Sequence, residues 1–162
     1  MHFYKIKDNY IEFLHEYDSK VAENKREGRP YVGIVLKIND IEYYAPFTSP
    51  KSKHLHMSNS KDFRKIGNGR FGAINFNNMI PVPLKELIEL DITNEPDLRY
   101  KRLLQNQYQS IKSDWTAIKK TAEELRNLIF TPDEDLSDYD KRVKSRCCNL
   151  PLLESVFNTY SQ

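Results

Sequence analysis

Disulfides and metal clusters are the first things this sequence lacks. Its two cysteines are adjacent, Cys147-Cys148, a spacing that suits neither a structural bridge nor a zinc site. With no histidine near them in the chain, they read as a buried, inert pair rather than a catalytic thiol. No apolar run approaches the ~20 residues of a membrane span. The segment Met1-His2-Phe3-Tyr4-Lys5-Ile6-Lys7 lacks the apolar core of a signal peptide. A reducing cytoplasm is the expected compartment, with no membrane partner. Internal repeats, low-complexity tracts, an RNP-type aromatic motif, a zinc knuckle and a P-loop are also missing. A standard RNA-binding module is therefore not indicated.

Acids are scarce in one region and dense in another. Residues 48–70 carry six Lys or Arg against Asp62 alone, whereas residues 133–140 carry five acids and no base. Lys141, Arg142, Lys144 and Arg146 follow at once. The formal net charge of +2 therefore says little, because local basic blocks govern phosphate affinity more than the total does. A solvated surface is the plain alternative for any one block.

What is present suffices for a core. A chain of 162 residues fits one domain, residues 1–162, and buries roughly two-thirds of its unfolded surface. Ten tyrosines and eight phenylalanines supply bulk. Alternation predicts a strand over residues 2–7. Asp8 or Asn9 is the expected cap of a helix carrying Tyr10, Phe13, Leu14, Tyr17 and Val21 on one stripe. Residues 23–29 form a charged loop, 31–38 a buried strand, Asn39-Asp40 a tight turn and 41–47 the return strand. Residues 49–69 lack periodicity and predict a long functional loop with a helical turn near 60–63. Short strands are expected at 71–76 and 79–82, while 84–91 fits helix or strand. Leu98, Leu103, Leu104, Tyr108, Ile111 and Trp115 predict a long amphipathic helix over 96–115, continued over 116–130 by Ile118, Leu125 and Leu128. A polar acidic loop at 131–140 and a closing helix at 150–160 complete the chain. The class is α+β, a twisted antiparallel sheet with packed helices.

One stretch concentrates chemistry. Thr48 and Ser49 stand side by side before Pro50, whose fixed φ stiffens the bend and biases Ser49 towards extended backbone. The two hydroxyls then point to opposite sides. Lys51, Lys53, His54 and His56 follow within six residues. Hydroxyls and ammonium groups without carboxylates suit a phosphodiester's oxygens, whereas a strand-ending turn and solvated basic loop is the bland alternative. On a strand, His54 and His56 would share a face, but nothing nearby supplies a third zinc ligand. On the long helix, Gln105, Gln109 and Lys112 recur at i, i+4 and i+7 opposite the apolar stripe. With Lys101 and Arg102 they form either a phosphate-contacting surface or a solvated face.

The segment Pro46-Phe47-Thr48-Ser49-Pro50-Lys51 resembles the "P-[LF]-T-S-P-K" element of the ToxN/AbiQ family, endoribonuclease toxins of type III toxin–antitoxin and phage abortive-infection systems. In the same order, Tyr31-Val32-Gly33-Ile34-Val35-Leu36 resembles the family's first core strand. Ile74-Asn75 with Met79-Ile80-Pro81 resembles its "I-N-x-x-x-M-I-P" element, and Tyr100-Lys101-Arg102-Leu103-Leu104 its "Y-K-R-M-L". Leu125-Arg126-Asn127-Leu128 recurs in the last third. The resemblance implies a fold similar to the MazF/Kid toxins and a metal-independent, sequence-selective endoribonuclease without cofactor.

RNA brings its own nucleophile, the 2′-hydroxyl, so aligning it with phosphorus needs proton transfer and charge stabilisation only. The expected products are a 2′,3′-cyclic phosphate and a 5′-hydroxyl, and DNA is not a substrate. By resemblance Thr48, Ser49, Lys51 and Arg29 are catalytic. Arg29 stands four residues before Gly33, where the family places a lysine, so it keeps the charge but not a base. Lys25 occupies the place of a family tyrosine. Lys53, His54, Asn75, Lys101, Arg102 and Lys112 are the expected RNA contacts. The implied partner is an inhibitory antitoxin RNA derived from tandem repeats, in a closed protein–RNA assembly. The rivals are a non-catalytic RNA-binding protein that uses the same loop to grip phosphate, and a structural interaction domain.

Overall fold

Near-continuous apolar runs on either side of Asn39-Asp40 produce the central hairpin of the sheet. The structure, a computed structural model, describes residues 1–24, 26 and 28–160, without the side chains of Ile34 and Val35. Its strands are β1 (Phe3–Ile6), β2 (Tyr31–Ile38), β3 (Ile41–Thr48), β4 (Phe63–Lys65), β5 (Ala73–Asn75), β6 (Ile80–Pro81) and β7 (Leu87–Glu89). All pair antiparallel, in the order β4-β5-β3-β2-β1-β7, with β6 also on β3. Asn39 and Asp40 have φ of 50° and 62°, the left-handed pair whose twist matches a two-residue hairpin. Gly33 is required where β2 meets the N-terminus. Its N–H donates to the His2 carbonyl at 2.7 Å, and a Cβ there would meet that oxygen at 2.5 Å.

The helices are α1 (Asp8–Tyr17), α2 (Ser52–His56), α3 (Leu98–Ser113), α4 (Trp115–Phe130), α5 (Asp138–Arg146) and α6 (Leu150–Phe157). Helix α4 packs on β2, and α6 packs on β6, α1 and α4. The arrangement is α+β, as the sequence predicts. Tyr10, Tyr31, Tyr43, Tyr44, Phe3, Phe47 and Phe76 are fully buried. The phenol of Tyr10 donates to the Pro81 carbonyl at 2.7 Å, and that of Tyr44 to Glu42 at 2.9 Å. Aromatic bulk is thus buried without stranding those hydroxyls. Cys147 and Cys148 are buried free thiols, and burial pushes Cys147 up to about 12, so it is not a thiolate at neutral pH.

Several expectations are corrected. Lys7, not Asp8 or Asn9, holds the cap position of α1. Asp8 lies in the first turn, where its charge suits the helix dipole, and accepts from Asn24 at 2.7 Å. Extended backbone at Asp18 (φ −142°) ends the helix before Val21. Residues 60–63 form a β-bridge turn, and the helical turn lies earlier, at α2. Leu98 is 75% exposed, because it opens α3 before the helix reaches the sheet. Residues 84–91 take both forms, a 3-10 turn at Leu84–Glu86 and then β7. The acidic stretch 131–140 contains a 3-10 turn and the start of α5, capped where the Asp140 N–H donates to Ser137 Oγ at 3.1 Å. Among the described residues no helix is long and apolar enough to cross a membrane.

Candidate active site

The sheet delivers Thr48 to the end of β3, where it pairs with Ala73 of β5. Gly72 makes this close approach possible. It adopts φ +104°, and a Cβ there would lie 1.8 Å from the Thr48 carbonyl oxygen, so only glycine fits. Beyond β3 the chain leaves the sheet through Ser49 and Pro50, both exposed, and turns into α2. Lys51 marks the start of that short helix.

A cleft of about 290 Å³ opens here, lined by Gly28, Arg29, Pro30, Phe47, Thr48, Ser49, Lys51, Tyr100 and Gln107. It gathers all four expected catalytic residues from two distant stretches of chain. Arg29 is held by the loop before it, its Nε donating to the Glu23 carbonyl at 2.8 Å. Ser49 and Lys51 are exposed at the rim. Thr48 Oγ1 is buried and has no hydrogen-bond partner among the described residues. Lys25, in the place of a family tyrosine, lies outside the described residues. Larger clefts of about 510 and 470 Å³ lie elsewhere, one beside Cys147 and Cys148, the other beside α1.

Two of the lining residues come from α3 and were not expected there. Tyr100 is half-buried, and burial, then the charge of Glu95, raises its phenol, so at neutral pH it is a hydrogen-bond donor. Gln107 is 1% exposed. Its Nε2 donates to the Phe71 carbonyl at 2.7 Å and the Thr48 carbonyl at 3.3 Å. The sequence does carry a signal for it. Leu104, Gln107 and Ile111 fall at i, i+3 and i+7 and are the buried residues of α3, so one polar amide interrupts an otherwise apolar stripe.

The expected RNA contacts divide. Lys53, Arg102 and Lys112 are exposed. Lys101 donates to the Thr93 carbonyl at 2.6 Å, which anchors the start of α3. Asn75 sits on β5 opposite Phe63, outside the cleft lining. His54 is a correction. It lies on α2 rather than a strand, does not share a face with exposed His56, and is 3% exposed. Its Nδ1 accepts from the Lys51 N–H at 3.2 Å. Burial first, then Lys53 and Lys51, lowers its pKa, so it is a neutral structural acceptor at pH 7.

Residues 2–158 match the family model of toxin ToxN of type III toxin–antitoxin systems. The chain belongs to the ToxN family. It is 35% identical to the endoribonuclease ToxN of Bacillus thuringiensis subsp. kurstaki, over 99% of this chain and 84% of that one. It is 33% identical to the endoribonuclease ToxN of Pectobacterium atrosepticum, over 100% and 95%. A solved structure described as selective toxin inhibition by a non-coding RNA pseudoknot superposes with a TM-score of 0.87 at 35% identity, covering 98% of this chain and 96% of that chain. The lactococcal anti-phage endoribonuclease AbiQ superposes at 0.80 with 29% identity, covering 98% and 96%. The shared fold therefore includes the cleft-bearing hairpin of this ToxN-family chain.

Proposed function

We propose that this chain is a metal-independent, sequence-selective endoribonuclease toxin acting through the cleft at the end of β3. The observation that carries the reading is the meeting of Arg29, Thr48, Ser49 and Lys51 in one cleft whose described lining includes no carboxylate. Two-metal phosphodiester cleavage needs carboxylates to hold its ions. This lining instead suits catalysis by RNA's own 2′-hydroxyl.

In that reaction the 2′-oxygen bonds to phosphorus as the bond to the 5′-oxygen breaks. The Thr48 or Ser49 hydroxyl relays the 2′-proton to a solvent water, and water returns a proton to the departing 5′-oxygen, so no net proton is gained or lost. The products are a 2′,3′-cyclic phosphate and a 5′-hydroxyl. The Lys51 ammonium stabilises charge on the non-bridging oxygens, an effect worth ~10²–10³ in rate for one such donor. Arg29 adds fixed charge without serving as a base. The proposed partner is an inhibitory RNA derived from tandem repeats, in a closed protein–RNA assembly, and abortive infection in the cytoplasm is the proposed setting. Exposed Lys53, Arg102 and Lys112 supply phosphate contacts beyond the cleft.

The test is cleavage of RNA by the purified protein in EDTA, with chemical analysis of the new ends. Cutting is expected to continue, leaving a cyclic phosphate upstream, with the matching DNA uncut. An absolute need for a divalent ion, or a 3′-hydroxyl upstream, overturns the mechanism. RNA that is bound and never cut favours the non-catalytic binding protein instead.

A further inference from the structure

Gln107 presents a buried acceptor with nothing to accept. Its Nε2 is committed to the Thr48 and Phe71 carbonyls. This fixes the amide orientation, because a flipped amide would set oxygen against two oxygens. Its Oε1 is then buried without a partner among the described residues, and so is Thr48 Oγ1. Both residues line the same cleft. Buried polar atoms are normally satisfied, and two orphans in one cleft indicate that a ligand completes them.

The surroundings indicate which part of an RNA would do so. Exposed Ser49 and Lys51 stand at the rim, where a charged phosphate keeps its water. Buried Phe47 and half-buried Pro30 and Tyr100 also line the cleft, and such residues suit a flat, largely apolar group with polar edges. Single-stranded RNA is read in this way, with splayed bases stacked on aromatic rings and hydrogen-bonded along their edges.

We propose that Gln107 is a specificity-determining residue, its carbonyl accepting an N–H from one nucleobase lodged in the cleft beside the scissile phosphate. The assignment rests on the endoribonuclease reading above. Thr48 Oγ1 meets the same nucleotide on its other side, and the clamp on the Thr48 carbonyl ties base recognition to the position of the catalytic hydroxyls. A site built around a buried acceptor rejects a ligand that lacks the donor, because the acceptor is then left desolvated and unpaired.

The test begins with a pool of short RNAs of random sequence, cut by wild type and by Gln107→Leu, with the new ends sequenced. Wild type is expected to restrict one position beside the cut. Replacing the favoured base there by an analogue without its N–H donor should slow wild type by roughly 10- to 100-fold and leave Gln107→Leu unaffected. If Gln107→Leu folds but does not cut, the same two RNAs are compared for binding to Ser49→Ala with and without Gln107→Leu. Discrimination is expected only when Gln107 is present. A folded Gln107→Leu that keeps the parental preference at every position overturns the proposal, as does a wild type indifferent to the analogue. The wild-type arm needs no variant to fold. Equal sensitivity to a 2′-deoxy sugar at that neighbouring position, with none to the base analogue, would assign the acceptor to ribose and overturn the base reading. A wild type that cuts no RNA removes the nuclease reading itself and this one with it.

Discussion

At the end of β3, Lys51 and Lys53 stand exposed, with no ion-pair partner among the described residues. On the adjoining stretch Lys61 and Arg64 are held, and its acid is held in turn. Lys61 meets Asp140 at 2.6 Å, Arg64 meets Asp114, and Arg146 of α5 grips Asp62 through two hydrogen bonds of 2.6 and 2.8 Å. Both regions belong to the same acid-poor stretch of sequence, yet the second acts as frame. Asp62, its only acid, is 4% exposed. Burial raises its carboxyl, but hydrogen bonds from Arg146 and Ser60 outweigh that and hold it below the usual carboxylate range. A count of basic residues therefore overstates the charge offered to RNA. Within this stretch, Lys51 and Lys53 beside the hydroxyls are on offer.

The largest expected effect of breaking this contrast is on rate. Lys51→Ala should lower RNA cleavage by ~10²–10³ while changing stability by under about 1 kcal/mol, as for other exposed loop positions. Initial rates and thermal melts on one preparation check both halves.

Next in size, Arg146→Ala should cost about 2 kcal/mol. That is below the 3–5 kcal/mol typical of a fully buried pair, because the Arg146 side chain is 48% exposed while Asp62 is 5% exposed. Urea denaturation measures it. No loss of stability would place Arg146 among the available cations instead.

How much of this was legible in the sequence follows the same division. The apolar strand runs and the Asn39-Asp40 turn are local, so the hairpin could be read directly, with its return strand placed at 41–47, one residue short of the observed end at Thr48. So could the hydroxyl–lysine set after it. Gln107 and Tyr100 could not be placed in the cleft, because only tertiary docking of α3 brings them to β3. The pairings of Lys61 with Asp140 and Arg146 with Asp62 span 79 and 84 residues and leave no local pattern. His54 was misread because α2 has five residues, too few for helical periodicity to declare a buried face.

His54 sharpens the contrast at the smallest scale. Its lowered pKa means that the unfolded chain binds a proton more readily than the folded one. The stability it contributes is therefore present above its ordinary value of 6.5 and lost as pH falls below that value through the folded pKa. His54→Asn keeps an acceptor for the Lys51 N–H without titrating. Wild type should lose melting temperature between pH 7 and pH 5 by more than His54→Asn does. Parallel losses in both would remove His54 as the cause.

Ser49→Ala and Arg146→Ala, assayed together for RNA cleavage per folded molecule and for melting temperature, test the division most directly. The site at the end of β3 predicts that Ser49→Ala melts with wild type and cuts at least ~10²-fold more slowly. The paired frame predicts that Arg146→Ala melts earlier and cuts at the parental rate wherever it is folded. A Ser49→Ala protein that cuts normally, beside a stable Arg146→Ala protein that does not, would contradict the assignment and move the chemistry to the α5 side.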